Sequence, residues 1–219
     1  MLKKLDKQNK NIILKPQENW VFFDETFWKF KRTFELDKWS NLQIFGYLDS
    51  KTDYDLEIFI KWNEADLCLN FMIIGNESEE MKAKIQTNIF GNFTKVKVNI
   101  VSLVKNWWFI DIDGIIDVWK HLKKVEWNLS QSNIFLGSSW KIRWVPSLMI
   151  ASDDVKVGHS LTAEKISDEQ LFYLRSRWIS EDDSVKFILN SYFKKTFEWL
   201  EKIDNIFYIG LFKRFSTIF

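Results

Sequence analysis

Apolar residues fall on alternate positions through the middle of this chain, and that habit excludes a mainly helical fold. Leu56, Ile58 and Ile60 alternate with Glu57, Phe59 and Lys61, and Val96, Val98 and Ile100 alternate with Lys95, Lys97 and Asn99. Ile110, Ile112 and then Ile115 continue the pattern. A strand turns successive side chains to opposite faces, so a period of two marks strands buried on one face. The breaks between runs carry Gly, Asn, Asp and Ser, as turns require. Residues 40–157 therefore read as a succession of strands.

Glycine is scarce, and its spacing carries information. Gly46, Gly91, Gly114, Gly137 and Gly158 are separated by 45, 23, 23 and 21 residues, near a lattice of about 22 with one tooth missing around Cys68. Such a period in a strand-rich chain suggests a β-solenoid whose coils turn a corner at similar places. A β-sandwich of short strands competes with it on this pattern alone.

After His159 the period becomes helical. Ser167 with Gln170 has the form of a capping box, and Asp168 and Glu169 suit the positive end of a helix dipole. A second helix begins at Ser180. Its apolar stripe is Val185, Ile188, Leu189, Tyr192, Phe193, Phe197, Leu200 and Ile203, with lysines and Glu198 off it. This module is expected to cover the last open coil. The run 206–219 is apolar apart from Lys213 and Arg214 and is expected to pack against the core or a partner.

Composition narrows the function. With 31 basic and 30 acidic residues, nothing electrostatic points to nucleic acid or an anionic membrane. The lysine-rich start lacks the apolar stretch of a secretory signal, and the uncharged run Trp127 to Trp140 is too short and polar to span a bilayer. A single cysteine, Cys68, excludes an internal disulfide and suggests a reducing, cytoplasmic setting. The 12 tryptophans and 20 phenylalanines imply a core of large rings, some of them free for partner contacts. No phosphate-binding G-x-x-x-x-G-K loop, serine–histidine–aspartate set or metalloprotease pattern is present, so no enzymatic activity is expected.

The chemistry sits near the C-terminus. Ala151-Ser152-Asp153-Asp154-Val155-Lys156-Val157-Gly158-His159 is followed by Asp168-Glu169-Gln170-Leu171-Phe172-Tyr173-Leu174-Arg175-Ser176-Arg177. With Pro146 ahead of them, these stretches resemble the signature of the SufB/SufD family of SUF-pathway iron–sulfur cluster assembly scaffolds. That signature reads as a proline-bearing strand, A-D-D-V-K, a segment with Cys and His, then D-E-x-L-F-Y-L-R-S-R-G. The resemblance is strong from about Asn128 to Ile203 and faint before Gly91.

The resemblance implies a right-handed parallel β-helix followed by a small helical module, which decides between solenoid and sandwich. The expected divisions are a polar extension over 1–19, a β-helix core over 20–158 and a helical C-terminal module over 159–219. A helical domain usually precedes the β-helix in this family, so the chain resembles a shortened member. Val157 stands where the SufD branch has cysteine and Ser160 where the SufB branch has an acid, leaving it closer to SufD.

His159 matches the family histidine implicated in cluster assembly at the partner junction, and imidazole is a competent iron ligand. A histidine bonded to a backbone carbonyl is the structural alternative. Cys68, within Leu67-Cys68-Leu69, reads as a small buried residue; one thiol cannot hold a cluster that needs about four. His121 reads as a solvated turn residue. Asp153 and Asp154 belong to the exit from the β-helix. The implied partners are a cysteine-bearing SufB-like paralogue, or a second copy, and an ABC-type ATPase. Phe172, Tyr173, Arg175 and Arg177 are the expected ATPase contacts, while Leu171 and Leu174 suit packing. A transient cluster shared with the partner is the implied cofactor, none being held by this chain alone.

Overall fold

The period-two runs form strands that alternate between two parallel sheets, each coil giving one strand to each. The computed structural model describes all residues except 1, 6–7, 9, 26–27, 50–51, 76–79, 105–107 and 137–139. The first sheet holds, in spatial order, β1 (Leu2–Lys4), β3 (Asn19–Asp24), β5 (Asn41–Leu48), β7 (Asp66–Gly75), β9 (Lys95–Val104), β11 (Lys123–Phe135) and β13 (Asp154–Lys165). The second holds β2 (Asn11–Leu14), β4 (Trp28–Leu36), β6 (Thr52–Ile60), β8 (Glu80–Ile89), β10 (Trp108–Val118) and β12 (Trp140–Ile150). Every pairing is parallel, and the core lies between the sheets, with Leu56, Ile58, Val96, Val98, Ile110 and Ile112 inside. This is a β-solenoid. Ile115 faces outward; the inward positions beside it are Gly114 and Ile116.

Two expected boundaries move. The stretch 1–19 supplies β1 and β2, and Leu5 and Leu14 enter the core. His159–Lys165 continues β13 in register with Leu129–Phe135 instead of starting the helices. As an edge strand β13 has only one neighbour, so no burial pattern betrays it in the sequence.

The glycine lattice does not mark the corners. Following one outward column, Asn19, Asn41, Asp66, Lys95, Glu126 and Lys156 are register partners, so coil lengths run 22, 25, 29, 31 and 30 residues. Gly46 and Gly114 lie inside strands and Gly158 inside β13, whereas Gly137 is outside the described residues. Gly46 and Gly91 answer close approach: an added Cβ would stand 2.1 Å from the Phe71 ring and 1.9 Å from the Trp62 carbonyl oxygen. The repeated corner device is a left-handed residue two positions before a first-sheet strand. Gln17, Trp39, Glu64, Phe93 and His121 occupy it with φ of 65°, 57°, 60°, 58° and 62°. Since L-residues are strained there by about 1–2 kcal/mol, His121→Gly should raise stability by about 1 kcal/mol, measured by chemical denaturation. That solvated turn residue, as the sequence suggested, can be changed without touching the core.

Charge keeps the coils in register. On the outer face of the second sheet, Lys29, Asp53, Lys82, Asp111 and Arg143 are successive cross-strand neighbours, and Lys31, Asp55, Lys84 and Asp113 form the next column. Signs alternate along both, with Lys29–Asp53 at 3.5 Å and Arg143–Asp111 at 2.6 Å. A slip by one residue would turn these charges inward, so the ladders select pairing even where each exposed pair adds little stability.

A charged pair lies inside. Arg32 and Asp24, both 0% exposed, form a two-point pair at 2.7 and 3.0 Å, and the Tyr54 hydroxyl donates to Asp24 at 2.7 Å. Burial, followed by the Asp24 charge, pushes the Tyr54 phenol well above its usual range.

Three helices follow: α1 (Asp168–Arg175), α2 (Glu181–Ile203) and α3 (Asn205–Ser216). Ser180 caps α2, accepting from the Asp183 amide at 3.1 Å, but Ser167 makes no side-chain cap, so the proposed capping box is absent. The helices do not cover the last coil. They lie on the outer face of the first sheet, where Phe23, Phe45, Tyr47, Met72, Ile74, Leu103 and Ile134 meet Leu189, Phe193, Phe197, Leu200, Tyr208, Leu211 and Phe215. The strand ends explain the choice: β5, β7 and β9 alternate at first, then become buried on consecutive residues because both faces carry apolar side chains. Arg214 of α3 pins the module to the solenoid through Asp49, at 2.7 Å, and Glu25.

Candidate functional site

The solenoid ends unsealed. Among the described residues strand β13 pairs only with β11, and β12 only with β10, so each leaves a row of backbone donors and acceptors facing outward. Between them the core is open in cross-section. Val155, Val157, His159 and Leu161 stand in register with buried Val125, Trp127, Leu129 and Gln131. From the opposite sheet, Ile142, Trp144, Leu148 and Ile150 continue the buried line of Ile110, Ile112, Ile116 and Val118. Leu148, Ile150 and Leu161 are 38%, 41% and 43% exposed although they occupy core positions, because no further coil lies on them. Arg143 ends the first charge column on this rim, and Lys156 ends the outward column of the first sheet.

His159 sits in the middle of this end. It is exposed, points along the inward register of β13, and lies 5.9 Å from the Trp144 ring at a tilt of 53°. The Trp144 indole N–H is buried without an acceptor among the described residues. His159 presents its ring at the open end, whereas the Trp144 indole N–H turns inward, 3.9 Å from where a Cβ on Gly114 would stand. Trp144 escapes a search for metal ligands; the signal for it is its inward parity, two residues after Ile142.

Cys68 is elsewhere. It faces outward on β7, half-buried, between Gln43 and Lys97 in register, rather than inside the core as its apolar neighbours suggested. Alternation carries Leu67 and Leu69 inward and turns Cys68 out. Burial pushes its thiol up, against the opposing Asn70 hydrogen bond and the Lys97 charge. Three strand spacings, about 14 Å, and opposite sheet faces separate it from His159. Among the described residues no group of three or more His, Cys, Asp or Glu is placed to hold a metal ion.

The four expected contact residues on and after α1 are exposed, with Phe172 and Tyr173 at 75% and 55%. Arg175 pairs with Glu181 at 3.2 Å, and the Arg177 guanidinium lies 4.5 Å from the Tyr173 ring centre. Leu171 and Leu174 are half-buried and hold α1 down. Asp153 is exposed in the turn before β13, and Asp154 opens that strand. No described helix is long and apolar enough to cross a membrane.

A parallel β-solenoid with an open last coil and a helical module along its side is the class defined by this geometry. Residues 36–192 match the family described as SUF system FeS cluster assembly, SufBD core domain, and the chain belongs to that family. The match begins well ahead of Gly91, before which the motif resemblance is faint. The chain is 36% identical over 80 residues to the iron–sulfur cluster assembly protein SufD of Escherichia coli, covering 36% of this chain and 19% of that protein. A SufBD family protein of Mycobacterium bovis is 40% identical over 47 residues, 22% of this chain and 6% of its own length. One from Staphylococcus haemolyticus is 28% identical over 88 residues, 40% of this chain and 19% of its own. The matched stretches thus span a fifth or less of these relatives.

Proposed function

We propose that this chain is a SufD-like, non-catalytic subunit of an iron–sulfur cluster assembly complex in the cytoplasm. The observation that carries this reading is the unsealed last coil, a core cross-section flanked by two unpaired strand edges. A SufB-like paralogue, or a second copy, completes it edge to edge. The cluster is cargo, built with thiolates from the partner, and His159 offers the imidazole this chain contributes at the junction. ATP hydrolysis belongs to an ABC-type ATPase received on the helical module through Phe172, Tyr173, Arg175 and Arg177.

The test is anaerobic cluster reconstitution on this chain co-expressed with a cysteine-bearing SufB-like subunit. His159→Ala should lower cluster absorbance per complex several-fold while Tm and complex mass stay unchanged, because the ring is exposed at the open end of the core. Unchanged absorbance at equal stability would remove His159 from the chemistry. The isolation of His159 from Cys68 favours that second reading, an architectural subunit that braces scaffold and ATPase without touching metal.

A further inference from the structure

Both ends of the solenoid carry free strand edges, but their inward side chains differ. Among the described residues β1 pairs only with β3, and β2 only with β4, so the first coil repeats the geometry of the last. All described pairings are parallel and keep one sheet order, so β13 and β12 of one copy match β1 and β2 of the next in direction and place. A head-to-tail contact of that kind does not close and builds a filament. At the last coil the inward positions are apolar, and Leu148, Ile150 and Leu161 stay exposed. At the first coil Lys3 stands in register with buried Phe22 and so points inward, whereas Leu2 and Lys4 turn out toward the helical module. The Lys3 ammonium lies 2.8 Å from the centre of the Trp20 ring, which stacks on Phe22 at 5.8 Å. A cation therefore covers the aromatic end of the core.

We infer that Lys3 guards this end, stopping the first coil from accepting the strand edges of another copy. Inward-pointing charges are a common means of blunting free edges, because pairing strips them of water. The inward residues of β13, Val155, Val157, His159, Leu161, Ala163 and Lys165, include no carboxylate to meet the ammonium, so stacking buries it without a counter-charge. The three residues of β1 and four of β2 add a second limit, since they offer few ladder bonds. The chain thus assembles through its last coil alone. That role of the last coil rests on the junction proposed above.

The experiment is light scattering after size exclusion over a range of concentrations, with a thermal scan, on the full chain and on Lys3→Leu, Lys3→Arg and Lys10→Leu. The parent should stop at a closed species, whereas the mass of Lys3→Leu should rise several-fold above it with concentration, at equal or higher Tm. Lys3→Arg keeps the charge and should match the parent. Lys10→Leu adds the same side chain just outside β2, where Lys10 is exposed, and should match it too. Adding Leu161→Asp to Lys3→Leu should stop the growth, since it charges the far end. A Lys3→Leu chain that matches the parent at every concentration overturns the guard. Growth of the parent, of Lys3→Arg or of Lys10→Leu does the same, as does growth that comes with a fall in Tm. Growth that survives Leu161→Asp leaves Lys3 as the guard and contradicts the proposed junction instead.

Discussion

Asp24→Ala should destabilise the protein by about 3–5 kcal/mol, lowering Tm by roughly 10 °C, although the residue lies far from the unsealed end. Its carboxylate accepts both Arg32 donors and the Tyr54 hydroxyl, and all three groups are buried. Removing it takes away the carboxylate that meets the buried Arg32 guanidinium and the Tyr54 hydroxyl, and desolvated groups that lose a charged partner cost several kcal/mol. Replacing the pair together, Asp24→Leu with Arg32→Met, should recover most of the loss, since a desolvated ion pair adds little net stability over an apolar one. Urea denaturation of the two variants checks both. A single-variant loss below about 1 kcal/mol would mean that water reaches Arg32.

Leu161→Asp should abolish partner pairing while leaving the isolated chain nearly as stable as before. Leu161 occupies a core register position but is 43% exposed, so a carboxylate there stays hydrated in the free protein. Once the coil is sealed by another chain, the same carboxylate would be buried without a partner, which costs several kcal/mol. Light scattering after size exclusion reads the mass, and a thermal scan reads stability. A variant that still assembles would move the junction away from the last coil.

The alternation of Leu56, Ile58 and Ile60 was legible because a solenoid strand buries one face, and the sequence displays that parity directly. Corners were not legible from glycine. Their left-handed position is filled by Gln17, Trp39, Glu64, Phe93 and His121, none of which advertises a positive φ. Unequal coils, from 22 to 31 residues along the column from Asn19 to Lys156, also hide the ladder of Lys29, Asp53, Lys82, Asp111 and Arg143, since no fixed spacing connects its members. The α2 stripe was readable, but which surface it covers depended on outward residues such as Tyr47, Met72 and Ile74, spread over separate strands. His159 was singled out by motif, whereas its neighbour Trp144 became apparent only when the register put the two rings on facing sheets. Cys68 reads as a core residue because Leu67 and Leu69 flank it, yet those neighbours point the opposite way from it.

Native mass spectrometry of the chain co-expressed with its SufB-like paralogue and ABC-type ATPase tests the central claim most directly. The expected spectrum shows this chain within a complex that contains both other subunits, and the Leu161→Asp variant released from the paralogue. A chain that appears only by itself, folded and with its last coil unsealed, would contradict the assignment.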